Sequence, residues 1–283
     1  MSSVFGEQGY ATLPDGRRLH YVSQGSGGPV VVFESGLGAS RVEWGLVMPA
    51  LAGHTRVIAY DRAGLGRSDR DTHRRDLERM VEDLGHLLDH LGEERYLLAG
   101  HSLGGPILRA YATAHPERVA GLVLIDQAAE ELPLYYNPVI RVVTLGMHTV
   151  MGGLAAVGVK VVPAELRRLM ALFPADMRAE ALSEMTRAAD IRATRAEYAA
   201  LAGSLTRLKR AKQVLPDVPV TVISGGLAPS KAEQRIRPGF VELHRKTAAA
   251  QPQGRHVTAE RAGHMVPQDQ PDLVIEEIVR LLS

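Results

Sequence analysis

The sequence lacks cysteine altogether and carries almost no net charge. Without cysteine, disulfides and thiolate metal sites are excluded and no redox compartment is indicated. The 33 basic residues are balanced by 32 acidic residues, for a formal net charge of +1. The overall charge therefore gives no argument for nucleic acid or an anionic membrane as a partner, and we expect no nucleic-acid binding.

Targeting signals are also missing from the start of the sequence. The first seven residues, Met1 to Glu7, contain neither a basic start nor an apolar run, which predicts a cytoplasmic location. The stretch from Val142 to Val159 reaches the length of about 18 residues at which a membrane helix becomes a candidate. Because His148 and the pair Gly152-Gly153 interrupt this stretch, we predict no stable membrane span.

What the sequence does contain is a regular alternation of apolar strands and helices. With 283 residues and 45% hydrophobic content, the chain can bury the core of one large domain, with or without an insertion. Unbroken apolar runs such as Pro29 to Phe33 and Val119 to Ile125 are typical of strands covered on both faces. The alternation predicts an α/β fold with a mainly parallel central sheet and helices on both faces.

The alternation stops between about residues 132 and 215. This segment is rich in Ala, Leu, Met and Arg at helical spacing, and strand patterns return with Pro219 to Ser224. We therefore predict a core formed by residues 1–131 and 216–283 and an inserted helical cap, or lid, formed by residues 132–215.

One motif lies where a strand meets a helix. The sequence Gly100-His101-Ser102-Leu103-Gly104 follows the apolar run Tyr96 to Ala99 and precedes a helical stretch. A Gly-x-Ser-x-Gly turn in this context is typical of a nucleophile elbow, in which the serine hydroxyl stands exposed above the sheet. The N–H group of Leu103, at the start of the helix, is then expected to point at the same spot and form half of an oxyanion hole.

Four segments together make the chain resemble the α/β-hydrolase family, specifically its serine esterase and lactonase branch. They are the elbow 100–104, the loop Ser35-Gly36-Leu37-Gly38, the turn 61–68 that begins Asp61-Arg62, and Ala262-Gly263-His264 before the last helix. The resemblance implies that Ser102 is the nucleophile, that His264 is its base, and that the Leu37 N–H completes the oxyanion hole.

The acid of the expected triad departs from the commonest family pattern. The segment 225–230, where relatives usually place an aspartate, contains no carboxylate. Asp126 ends the strand Leu122 to Ile125 and fits the position used by some branches of the family. A loop or helix cap is the alternative role for Asp126, and Glu233, Glu130 and Glu131 remain alternative acids.

Other signals are weaker. Gly64 to Asp69 and Gly36 to Arg41 each lack the third glycine of a dinucleotide loop. His86 and His90 share a helix face without the surrounding pattern of a metal site, so we predict no cofactor and no metal. The candidate substrate-binding residues are Gly36, Trp44, Met147 and Met151. For Trp44, Met147 and Met151 the alternative role is packing within the protein.

The function that we expect is serine hydrolysis of a carboxylic ester, lactone or thioester through an acyl-enzyme. The apolar part of the cap, about residues 139–162, is expected to line a pocket for a small hydrophobic substrate. Within the same family, dehalogenases and epoxide hydrolases use an aspartate nucleophile, so Ser102 argues against them. Three alternatives remain: cleavage of a C–C bond, peroxide-dependent chemistry, and a non-catalytic ligand-binding role. The protein is expected to be a monomer or homodimer.

Overall fold

The fold is built on one central sheet, seen in a computed structural model that describes residues 2–282. Within these residues the sheet has nine strands, in the order β1-β2-β3-β5-β4-β6-β7-β8-β9. Strands β1, β2 and β3 pair antiparallel, β3 pairs antiparallel with β5, and the strands from β5 to β9 are parallel. The predicted α/β fold with a mainly parallel sheet is confirmed.

The strand bounds follow the apolar runs of the sequence closely. The strands are β1 Ser2–Ser3, β2 Gly6–Thr12, β3 Arg18–Gln24, β4 Val30–Glu34, β5 Val57–Tyr60, β6 Tyr96–His101, β7 Val119–Ile125, β8 Val220–Gly225 and β9 Gly254–Ala259. The central strands are fully buried because helices cover both faces of the sheet. Val30 and Val32 of β4 enter one apolar cluster and Val31 and Phe33 enter the other, as the two-residue period of a strand requires.

The helices are divided between the core and the inserted segment. The core helices are α1 Met48–Leu51, α2 Leu77–Leu91, α3 Gly104–Ala114, α8 Lys231–Ala249, α9 Val266–Asp269 and α10 Pro271–Leu282. The segment between β7 and β8 contributes α4 Pro138–Ala156, α5 Ala164–Met170, α6 Ala175–Met185 and α7 Ala188–Ala211. This helical segment is consistent with the predicted cap, and we call residues 132–215 the cap below.

One predicted helix is broken. The sequence pattern indicates a helix around Arg41 to Leu51, whereas the structure has a 3-10 helix over Arg41–Trp44 and then the short α1. The chain is tightly packed at Gly45, where a Cβ atom would lie only 2.8 Å from the Phe5 ring and 2.9 Å from the Phe173 ring. Tertiary contacts, rather than local helix propensity, therefore determine the path of this segment.

Candidate active site

Ser102 lies in the sharp turn between β6 and α3. Its backbone φ is 51°, in the left-handed region that residues with a side chain rarely adopt. Two glycines make the turn possible: a Cβ on Gly104 would lie 2.3 Å from the carbonyl oxygen of Glu34, and one on Gly100 would lie 2.7 Å from the side chain of Leu108. The turn therefore holds the serine at the carboxyl edge of the sheet, where active sites of parallel sheets lie.

A histidine from the far end of the chain reaches this serine. The Nε2 atom of His264 lies 3.1 Å from Ser102 Oγ, and its Nδ1 atom lies 2.7 Å from Asp126 Oδ2. Because an ionised carboxylate only accepts hydrogen bonds, Nδ1 donates to Asp126 and Nε2 is left to accept the serine proton. The arrangement can therefore move a proton from the Ser102 hydroxyl to the imidazole.

Asp126 is surrounded by hydrogen-bond donors. Its carboxylate accepts from the Gly225 N–H at 2.9 Å and from Arg237 Nη1 at 2.6 and 2.8 Å, in addition to His264. Burial alone would raise the pKa of Asp126, but the hydrogen bond from His264 and the charges of His264 and Arg237 outweigh burial and hold that pKa well below its usual value. Asp126 is therefore ionised at neutral pH.

The alternative carboxylates are engaged elsewhere. Glu233 accepts from the Ser230 N–H at 2.9 Å and caps the start of α8. Glu130 binds Arg109 at 2.5 Å, and Glu131 is exposed. Among the four candidate acids, Asp126 is the one that the structure brings into contact with His264.

The loop over residues 35–38 lies against the serine. A Cβ on Gly36 would be 3.4 Å from Ser102 Cβ. The Gly36 N–H donates to Glu43 at 2.7 Å and the Gly38 N–H donates to Glu197 at 2.9 Å. By contrast, within residues 2–282 the N–H groups of Leu37 and Leu103 donate to no protein acceptor. The two N–H groups expected to form the oxyanion hole are thus available to a ligand.

The sequence of the chain shows which family it belongs to. A sequence profile for the α/β hydrolase fold matches residues 29–255. The chain belongs to the α/β-hydrolase family. The match runs through the elbow, the strand that ends just before Asp126 and the whole cap, and stops nine residues before His264.

Individual relatives of this chain carry the names of several activities. The 2-hydroxymuconate semialdehyde hydrolase of Pseudomonas sp. strain CF600 is 35% identical over 193 residues, which is 66% of this chain and 62% of that protein. The solved epoxide hydrolase CorEH is 25% identical with a TM-score of 0.73 and covers 97% of this chain and 98% of that one. The enol-lactonase from Burkholderia xenovorans LB400 is 24% identical with a TM-score of 0.67, covers 97% of this chain and 99% of that one, and shows the shared fold.

The matches to curated relatives are partial in length. Four of these relatives are spanned over only 31% to 62% of their own length. Together with the family match, these relatives support a hydrolase.

The structure corrects one of the predicted substrate contacts. Trp44 is completely buried, donates from its indole N–H to Ser35 Oγ at 3.0 Å and stacks on Phe33 with 4.5 Å between ring centroids. It therefore packs behind the 35–38 loop, and the prediction of a substrate contact is wrong for Trp44. Met147 is 52% exposed on the outer side of α4, and its contact with a substrate stays a prediction.

The two other predicted substrate contacts are Gly36 and Met151. Gly36 lies beside Ser102, as described above. Met151 is half-buried on the side of α4 that faces α7, and its contact with a substrate stays a prediction.

A histidine next to the serine joins three parts of the site. His101 Nδ1 lies 2.7 Å from Glu43 Oε1, and His101 Nε2 lies 2.8 Å from the backbone carbonyl of His264. Both ring nitrogens face oxygens, so both can donate only in the charged imidazolium. Burial would lower the pKa of His101, but the charge and hydrogen bond of Glu43 outweigh burial and raise it. Since Glu43 also binds Gly36, this pair links the 35–38 loop, the elbow and the His264 backbone.

Sequence reasoning missed a second clamp on the 35–38 loop. Arg62 Nη1 donates to the Ser35 carbonyl at 2.7 Å and Nη2 donates to the Gly36 carbonyl at 2.6 Å. Its guanidinium also binds Glu197 of α7 through two contacts of 2.8 Å and Glu34 of β4 at 2.7 Å. The position of Arg62 in the family turn was a usable signal, whereas nothing in the sequence pattern singles out Glu197 or the Asp126 partner Arg237.

An open cavity gives access to His264. It has a volume of about 650 Å³ and lies between the start of α5 and the loops after β8 and β9. Its lining residues are Glu165, Arg168, Leu227, Pro229, Glu233, Arg261, Gly263, His264, Met265 and Asp269. Because the His264 side chain is 41% exposed, a substrate can reach the imidazole from this side.

Proposed function

We propose that the protein is a serine hydrolase that cleaves a carboxylic ester, lactone or thioester through an acyl-enzyme. The observation that carries this proposal is the unbroken line of contacts from Ser102 Oγ through His264 to Asp126, next to two N–H groups free to bind an oxyanion. This combination is what acyl transfer requires: a base on the nucleophile, an orienting carboxylate and preorganised donors.

In the proposed reaction the Ser102 oxygen attacks the carbonyl carbon while His264 Nε2 takes the hydroxyl proton. The N–H groups of Leu37 and Leu103 stabilise the negative charge that forms on the carbonyl oxygen. His264 then gives its proton to the leaving alcohol or thiol, and the acyl group stays on Ser102. A water molecule, deprotonated by His264, attacks the acyl-enzyme and releases the acid. Asp126, kept ionised by its donors, holds the imidazole in the correct tautomer throughout.

The test is labelling with a fluorophosphonate probe combined with hydrolysis of p-nitrophenyl butyrate. We expect the probe to label the protein at Ser102 and the Ser102→Ala variant to lose both labelling and hydrolysis. Ser40→Ala is a matched control, because Ser40 is buried near the same loop and its hydroxyl has no hydrogen-bond partner within the described residues. This control should behave as the parent protein. Retained ester hydrolysis in Ser102→Ala would reject the proposal, and a protein without labelling or turnover would favour the non-catalytic ligand-binding role.

A second candidate is hydrolysis of a C–C bond on the same residues. It is favoured by the 35% identity to the 2-hydroxymuconate semialdehyde hydrolase. Turnover of 2-hydroxymuconate semialdehyde that exceeds p-nitrophenyl butyrate hydrolysis by orders of magnitude in kcat/KM would favour this candidate. A small hydrophobic substrate, a monomeric or homodimeric state and a cytoplasmic location stay predictions.

A further inference from the structure

The helix α4 of the cap is oriented with its apolar side outward. Its contacts with α7 include those of His148, whose ring lies 6.1 Å from the Tyr198 ring, of Thr149, which accepts from Arg195 at 2.9 Å, and of Gly152. Gly152 is the one buried residue of this 19-residue helix. The side that packs on the protein therefore carries polar residues.

The opposite side of α4 is a continuous apolar stripe. Its members share the helical spacing of one face and are 36–77% exposed: Val139, Val142, Val143, Val150, Leu154 and Val157. A helix on the surface of a globular protein normally turns such a stripe toward the core. Beyond the end of α4, the exposed side chains of Val159 and Val161 continue the apolar surface. We call this surface, formed by the outer side of α4 and residues 157–161, the α4 face.

The segment that carries the α4 face lacks acidic residues. No aspartate or glutamate occurs from residue 132 to residue 164, although a frequency of 32 acidic residues in 283 would place about four there. Of the two cations in the same segment, Lys160 is exposed within the α4 face, whereas Arg141 is half-buried on the side of α4 that carries His148 and Gly152. A broad, exposed apolar surface marks an interaction site, and a local cation without anions from this segment favours a partner that is both apolar and anionic.

We propose that the α4 face binds the surface of an anionic phospholipid membrane, with α4 lying in the plane of the interface. The outer valines enter the boundary between head groups and acyl chains, and the exposed Lys160 lies at the level of the lipid phosphates. By length and composition α4 is the one helix within residues 2–282 that could cross a membrane. It lies on the surface instead, because its contacts with α7 hold it to the cap. The proposal does not depend on the chemistry at Ser102.

A second copy of the chain is the competing occupant of the α4 face. A two-fold pairing of α4 helices would bring Lys160 of both copies to one interface without a carboxylate from this segment to compensate them. An anionic lipid surface supplies that compensation. The charge pattern therefore favours the membrane over the dimer.

The test is flotation of the full-length protein with phosphatidylcholine vesicles that contain or lack phosphatidylglycerol. We expect binding to the anionic vesicles that weakens with added salt, and little binding to pure phosphatidylcholine. Val150→Glu should lower the partition coefficient about tenfold or more, since it removes an inserted valine and adds a charge repelled by the lipid. Val214→Glu is the matched control, because Val214 is 77% exposed but lies outside the α4 face, and it should bind as the parent protein does.

Several results would overturn the proposal. They are absence of the parent protein from the floating fraction, equal binding to both kinds of vesicle, and equal losses in the two variants. A homodimer in size-exclusion chromatography with light scattering that Val150→Glu converts to a monomer would assign the α4 face to a second copy. Thermal unfolding checks that both variants fold, which we expect because both positions are exposed.

Discussion

Asp126 has two roles: it orients the His264 imidazole, and it compensates the charge of the buried Arg237. Replacing Asp126 by asparagine affects each role in a different way. The carboxylate accepts from His264 and Arg237 on one oxygen and from Gly225 and Arg237 on the other. An amide has only one accepting end. If its NH2 group faces His264, the imidazole carries its proton on Nε2 and cannot accept the proton of Ser102. If the NH2 group faces Gly225 and Arg237, it meets the N–H groups of these two residues, which are also donors, and no hydrogen bond forms there.

The expected losses follow from this geometry. Turnover should fall by about 10⁴, which corresponds to about 5.5 kcal/mol in the activation barrier. Stability should fall by about 3–5 kcal/mol, because the nearly buried Arg237 guanidinium loses its partner. The double variant Asp126→Asn with Arg237→Met removes both charges and should recover most of the stability but none of the turnover.

The assays are p-nitrophenyl butyrate hydrolysis, the rate of fluorophosphonate labelling, and unfolding by denaturant. Glu233→Gln provides the control carboxylate: glutamine can keep the capping contact with Ser230 at the start of α8, and turnover should stay within about twofold. The reasoning is refuted if folded Asp126→Asn loses less than about tenfold in turnover. It is also refuted if the double variant regains activity together with stability.

Two further predictions concern the residues that hold the site. Glu197→Gln keeps an acceptor for the Gly38 N–H but turns an amide donor toward Arg62. The 35–38 loop should therefore be held less well, and kcat should fall by roughly tenfold with little change in KM. Steady-state kinetics measures both constants, and a change in KM alone would contradict this prediction. The raised pKa of His101 means that its pairing with Glu43 stabilises the fold fully below the unfolded histidine pKa of about 6.5 and less as pH rises through the folded pKa. The free energy of unfolding lost in His101→Gln should therefore be larger at about pH 6 than at about pH 9, and a loss that grows with pH would argue against a charged His101.

The parts of the fold that the sequence predicts correctly are those with a local cause. The elbow needs glycines at 100 and 104 because any Cβ there would collide with neighbouring atoms, and this requirement is visible in the residue types alone. The strand bounds are visible in the apolar runs. Asp126 could be selected as a candidate because it ends a strand next to the elbow strand.

The missed features depend on contacts between distant residues. Arg237 meets Asp126 across 111 positions and Glu197 meets Arg62 across 135 positions, and neither arginine nor glutamate on a helix has a periodicity that identifies its partner. The orientation of α4 was predicted wrongly for another reason. Helical spacing identifies an apolar stripe, but it does not say whether the stripe faces inward, and we expected the inward direction that globular proteins normally use.

The buried charges between the cap and the core limit how this protein can open. Glu184 binds Arg41, Glu197 binds Arg62, and Asp190 accepts from the Gly66 N–H, all at contacts with little or no solvent exposure. A hinge motion of α6 and α7 away from the sheet would leave these groups without partners. The free-energy cost would be several kcal/mol for each ion pair broken. Substrates are therefore expected to reach the site through the open cavity beside His264 while α6 and α7 stay in place. Attempts to admit bulkier substrates should begin at Leu227 and Met265 rather than with a looser cap.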